Sequence, residues 1–225
     1  MFHSKKSNIC VALLTLSAAF CAPQALAFGL GDLTGASKTT ASAGDPDAFI
    51  KSALGAEKLM NNSVTLLVRS LASKTESAAI ESQMKAANAI TDPAEKEAKL
   101  TEVKKSQEAV INANSSKEKL KAEVAKMDGK QKEDLGAAAF NFMLALLQDK
   151  DLVSQASGLI SSLASNPMNL TKLGGVKDVA SSLSNQVSSA SQIASKMPDI
   201  FSAVGVKAPA SKDEKPKVTV AVAGD

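Results

Sequence analysis

Residues 135–147 read Leu-Gly-Ala-Ala-Ala-Phe-Asn-Phe-Met-Leu-Ala-Leu-Leu, and wound as a helix they are apolar on every face. Such a helix must be covered on all sides by other parts of the chain or by a partner. The stretch therefore predicts the central helix of an all-α fold, an antiparallel helical bundle of about four to six helices. It carries two of the five Phe residues that lie beyond position 27, Phe140 and Phe142.

The chain opens with Lys5 and Lys6, runs apolar from Ile9 to Ala22, and then reads Pro23 and Ala25-Leu26-Ala27. A short basic region, an apolar run and an A-x-A site make a secretory signal peptide over residues 1–27, with Ala25 and Ala27 at the cleavage site. A membrane anchor would need a run of roughly 18 or more apolar residues, which this leader lacks. The expected location is the periplasm, with secretion as the alternative, and no transmembrane segment is expected in the mature chain.

Removal of the leader takes away His3, Cys10 and Cys21, so a mature chain starting at Phe28 has no His, no Cys and a single Arg, Arg69. Disulfides are excluded even though the expected compartment is oxidising. The leader also removes two of the 26 basic residues, leaving 24 against 23 acidic ones. A net charge near zero recruits neither nucleic acid nor anionic lipid. Nucleic-acid readers also rely on Arg forks and stacking aromatics, and the chain has neither Trp nor Tyr. No nucleic-acid partner is expected.

The order of elements follows from caps and periodicity. Residues 28–44 are rich in Gly, Ser, Thr and Ala and are expected to form a flexible N-terminal arm. Asp45-Pro46-Asp47 signals a helix start. Ile50, Ala53, Glu57, Met60, Val64, Leu67 and Leu71 then step by three and four, with Glu57 the one polar interruption. Ser73 and Glu76 have capping-box spacing, and the stripe Ile80, Met84, Ala87 is out of phase with the first, which predicts a break near Ser73. Asp92-Pro93 with Glu95 repeats the start signal.

The helix after it carries Leu100, Val103, Val110, Ile111, Leu120, Val124 and Met127 around a polar middle, so residues 76–127 are expected to project from the body as a helical hairpin. Asp128-Gly129 is read as the end of that helix. Asp149-Lys150-Asp151 is read as a solvated step along or beyond the central helix. Gly174-Gly175 is read as a turn before the stripe Val176, Val179, Leu183, Gln186, Ala190, Ile193, Met197. The helical domain is expected over residues 45–206 and a disordered tail over 207–225, where Pro209, Pro216 and a Lys-Asp-Glu-Lys cluster interrupt any pattern.

Catalytic chemistry has little to work with. Without His and Cys, the usual triads, thiol nucleophiles and zinc sites are out of reach. Ser82 with Lys85 and Ser116 with Lys119 match Ser-x-x-Lys, yet the accompanying motifs of that enzyme class are missing. Asp45 with Asp47 and Asp149 with Asp151 lack the further ligands and loop of a calcium site. No catalytic residue, metal ligand or cofactor is assigned.

The functional expectation is an exported, non-enzymatic helical protein that binds other proteins of the envelope as a scaffold, adaptor or chaperone-like factor. The alternative is a carrier of a small apolar or lipid ligand between helices, with Phe142, Met143, Leu146, Val176, Val179, Leu183 and Ile193 as its apolar binding face. An enzyme of unknown type is the third reading.

Overall fold

The computed structural model of the chain describes residues 45–165 and 170–219. The expected signal peptide, with its cleavage site at Ala25 and Ala27, and the expected N-terminal arm lie outside the described residues. Within them the fold is an all-α bundle of seven helices: α1 Pro46–Leu71, α2 Lys74–Ala89, α3 Pro93–Asn114, α4 Lys117–Lys126, α5 Gly129–Ala164, α6 Leu170–Ala194 and α7 Met197–Val204.

Side-chain caps set four of the helix starts. The Asp45 carboxylate accepts from the Asp47 and Ala48 amides, and Pro46 follows it in the first turn. Ser73 and Glu76 form the reciprocal box that separates α1 from α2. Asp92 accepts from the Glu95 amide and starts α3. Asp128 and Gln131 form a second box. Asp128 thus opens α5, and Gly129 is its first residue; the reading of Asp128-Gly129 as the end of the preceding helix is corrected. That helix ends at Lys126, with the Met127 amide bonded back to Val124. Gly174 and Gly175 also lie inside a helix, α6, so no turn occurs there. Gly175 faces α1, where a Cβ would make an ordinary contact with Ile50 at 3.9 Å.

Helix α5 is the axis. It runs unbroken through the charged step at residues 149–151, packed between α1 and α6, with α7 against its first turns. Phe49 of α1 shares a cluster with Leu159 of α5, while Leu67 shares one with Leu135, so α1 and α5 are antiparallel. Val176 and Ile193 place α6 antiparallel to α5 by the same argument. Residues 135–142 and 144–146 are all buried, which accounts for a helix apolar on every face.

The segment 76–127 does not stand clear of the body. Ile80, Ala87, Val103, Ile111, Leu120 and Val124 all join the larger apolar cluster with Leu67 and Phe142. Residues 100, 103, 107 and 111 form a narrow stripe that seats α3, with Val110 packed on its flank, and the rest of its surface is largely polar. The polar middle supplies a break instead of an arm: Ser115 leaves helical geometry, and Lys119 donates to the Ala113 carbonyl across the gap.

Residues 206–219 form a strap along α5. Gly205 turns the chain at φ 70°, a conformation glycine adopts without a Cβ penalty. Val206 then lies over Gly136, Lys212 reaches Gln148 and Asp151, and the chain doubles back to bring Lys217 to Asn141. The disordered tail expected from residue 207 is corrected as far as Thr219, which is buried; residues 220–225 lie outside the described residues.

Candidate functional site

The seven residues named as an apolar binding face do not form one. Phe142, Leu146 and Ile193 are buried in the larger cluster, with Met143 packed against it. Val176 and Leu183 are buried in a second, separate cluster with Phe49, Ala53, Ala56, Leu152, Ala156, Leu159 and Leu163, and Val179 packs on that one. The helices close on each other along these stripes. Among the described residues the large apolar side chains left exposed are Leu54 and Val218.

The Ser-x-x-Lys matches do not converge into a site. Ser82, Lys85, Ser116 and Lys119 are all exposed, and the Lys119 ammonium caps α3. Asp45 and Asp47 serve the first turn of α1, where Asp47 also pairs with Lys172 at 2.6 Å. Among the described residues there is no group of three or more His, Cys, Asp or Glu side chains placed to hold a metal ion.

Asp149 and Asp151 have opposite fates. Asp151 is half-buried at the surface, accepting from Gln155 at 2.5 Å and from Lys212 of the strap at 2.8 Å. Asp149 is 0 % exposed, and its reading as a solvated acid is corrected. One carboxyl oxygen accepts from the Gln186 side-chain amide at 2.7 Å, and the other has no hydrogen-bond partner among the described residues. Burial raises its pKa to about 7, the Gln186 hydrogen bond opposes the rise, and the nearby Glu57 carboxylate adds to it. The signal was present in the sequence. Ala145, Asp149, Leu152, Ala156, Leu159 and Leu163 step by four and three, so Asp149 sits in the buried seam of α5.

Asn141 is the second residue whose role the sequence hides. It is 4 % exposed within the apolar stretch. Its amide nitrogen donates to the Lys217 carbonyl at 2.9 Å, and its carbonyl accepts from the Lys217 amide at 2.7 Å. The side chain thus reads a backbone unit as a neighbouring strand would. Gln148 donates to the Lys212 carbonyl at 3.1 Å, and the Lys217 ammonium lies 4.6 Å from the centre of the Phe140 ring.

Between α2 and α3 lies an open recess of about 320 Å³. Ala86, Ala87, Ile90 and Val103 give it an apolar floor, and Gln83, Lys99, Glu102 and Ser106 a polar rim. Lys99 and Glu102 pair there at 2.7 Å, and both remain exposed. No helix among the described residues is long and apolar enough to cross a membrane.

No family model matches the chain, and neither a curated protein nor a solved structure matches it significantly.

Proposed function

We propose that this chain is an exported, non-enzymatic helical protein that works by binding other proteins of the cell envelope, as a scaffold or adaptor. The export part rests on Lys5, Lys6, the apolar run and Ala25-Leu26-Ala27. The binding part rests on one observation, the α2 and α3 pair. Its buried stripe, Ala87 and Val103 included, is fixed to the body, and the two helices leave between them an open recess that has those side chains in its floor and a rim carrying donors and acceptors of both charges. That combination suits a polar, partly helical peptide segment laid along two helices. The carrier alternative draws no support from the seven side chains that motivated it, because they are spent in packing the two clusters.

A photo-crosslinking amino acid placed at Ala86, on the recess floor, tests the reading against one placed at exposed Lys177 on α6. Irradiation of envelope extracts should give a recurrent crosslinked protein from position 86 and not from position 177. Indistinguishable patterns at the two positions, or no product at 86, would reject the recess as a binding surface.

A further inference from the structure

Asp149 and Gln186 are hydrogen-bonded at one level of an otherwise apolar bundle, with the Glu57 carboxylate near enough to act on Asp149 through its charge. Asp149 takes a seam position of α5 where a leucine would have joined the larger cluster to the smaller one. Gln186 takes the matching place on α6, between Leu183 of the smaller cluster and Ala190 of the larger. Glu57 of α1 is half-buried directly after Ala56. The two apolar clusters stop on either side of this level, and Asp149 bridges it with one hydrogen bond and one oxygen that has no partner among the described residues.

A charged carboxylate in such a place is costly, since a single neutral hydrogen bond replaces its hydration and the charge that acts on it is that of another acid. The neutral carboxyl avoids both costs. We propose that Asp149 is the proton-binding element of a joint in the bundle: neutral, it lets the two clusters stand as one closed core; ionised, it draws in water and parts the end built by Phe49, Ala53, Ala56, Leu152, Ala156, Leu159, Leu163, Val176 and Leu183. The proton comes from solvent and returns to it.

The smaller end is the one that yields. Among the described residues it holds nine buried apolar residues from three helices, against twenty-four in the larger cluster, which also draws on α2, α3, α4 and α7. The groups around Asp149 do not neutralise it. From α1 comes Glu57, which raises its proton affinity, and from α6 the neutral Gln186 amide. On α5 itself Lys150 is exposed, and Lys212 of the strap is held by Asp151. The direction of the Asp149 shift, upward to about 7, puts the change near neutral pH.

A different role for the same layer would be to fix helix register, as single polar groups in apolar seams do. Hydrogen exchange as a function of pH separates the two. Peptides covering 49–56, 152–163 and 176–183 would be compared with peptides covering 67–71 and 138–146 in the full chain, each corrected for the intrinsic pH dependence of exchange. The opening constant of the first set should rise on the order of a hundredfold from pH 5 to pH 8 and level off above, with the second set nearly flat.

Asp149→Asn should hold the first set at its low-pH value throughout, and Glu57→Gln should move the wild-type midpoint downward by removing the nearby charge. Retention of helical circular dichroism would verify that both variants fold. A flat wild-type profile, parallel rises in both sets, an Asp149→Asn profile like the wild type, or an unmoved Glu57→Gln midpoint would each overturn the joint and leave the layer a register device.

Discussion

Replacing Asn141 with Ala tests the strap at its most specific contact. The side chain makes two hydrogen bonds to the backbone of Lys217, at 2.9 and 2.7 Å, on a site 4 % exposed. At about 0.5 to 1.5 kcal/mol net for each bond, the strap should lose about 1 to 3 kcal/mol of its hold on α5. The Lys217 amide donates one of those bonds, so its exchange reports the loss directly. With 1.4 kcal/mol to each factor of ten, it should exchange about 5- to 150-fold faster in the variant.

Amides in residues 138–146 belong to the interior of α5 and should not change, because the strap opens without the bundle. Asn141→Asp is the sharper variant. It keeps the acceptor for the Lys217 amide but aims a second carboxylate oxygen at the Lys217 carbonyl, so it should release the strap further than Ala does at pH 7. Exchange by mass spectrometry on peptides spanning 206–219 reads both. An unprotected Lys217 amide in the wild type, or identical protection in all three proteins, would refute the docked strap.

Phe142→Ala should cost about 3 to 5 kcal/mol, since the ring is fully buried at the centre of the larger cluster, whereas Val110→Ala on the partly buried flank of α3 should cost about 1 kcal/mol. Urea midpoints followed by circular dichroism check the order, and equal losses would contradict it. Gly136→Ala should fail to give the roughly 1 kcal/mol usually gained in a helix, because the new methyl would stand 2.7 Å from the Val206 side chain and 3.3 Å from that of Val204. A raised urea midpoint would show that the strap gives way instead.

For Asp149 the folded pKa lies above its usual value of 3.8, so the stability it contributes is complete below about pH 4 and is lost as pH rises through about 7. Asp149→Asn should therefore exceed the wild type by on the order of 4 kcal/mol in urea unfolding at pH 8, with the gap closing toward pH 4. A gap that does not depend on pH would show that the group stays ionised in the fold.

Much of this architecture can be read from neighbouring residues alone, because caps and seams are local. Asp45-Pro46, Ser73 with Glu76, and Asp92 with Glu95 satisfy amides within three residues of themselves, so their spacing marks the starts of α1, α2 and α3. The all-round apolar run at 135–147 requires a central, covered helix whatever its neighbours are.

The same local rules mislead where two outcomes are locally equivalent. Asp-Gly can close one helix or open the next, and at residues 128–129 the reciprocal bond with Gln131 decides for opening. An apolar stripe is identical whether it lines a groove or a closed core. The packing of α1 and α6 on both sides of α5 settles that for Phe142, Leu146, Val176, Leu183 and Ile193.

Contacts between distant parts of the chain leave no local pattern at all. The strap carries no periodicity, and its hold on α5 comes from Asn141, 76 residues before Lys217, and from Gln148, 64 residues before Lys212. Asp149 and Asp151 are two steps apart on the same helix, which turns them about 200° from each other. One is carried into the seam against Gln186 and the other outward to Lys212. The sequence by itself determined the helices and their apolar faces, since those follow from hydrogen bonds and periodicity within a turn or two. Which acid is buried, and what covers the outer face of α5, depended on elements far apart in the chain meeting in space, and only the tertiary structure decided that.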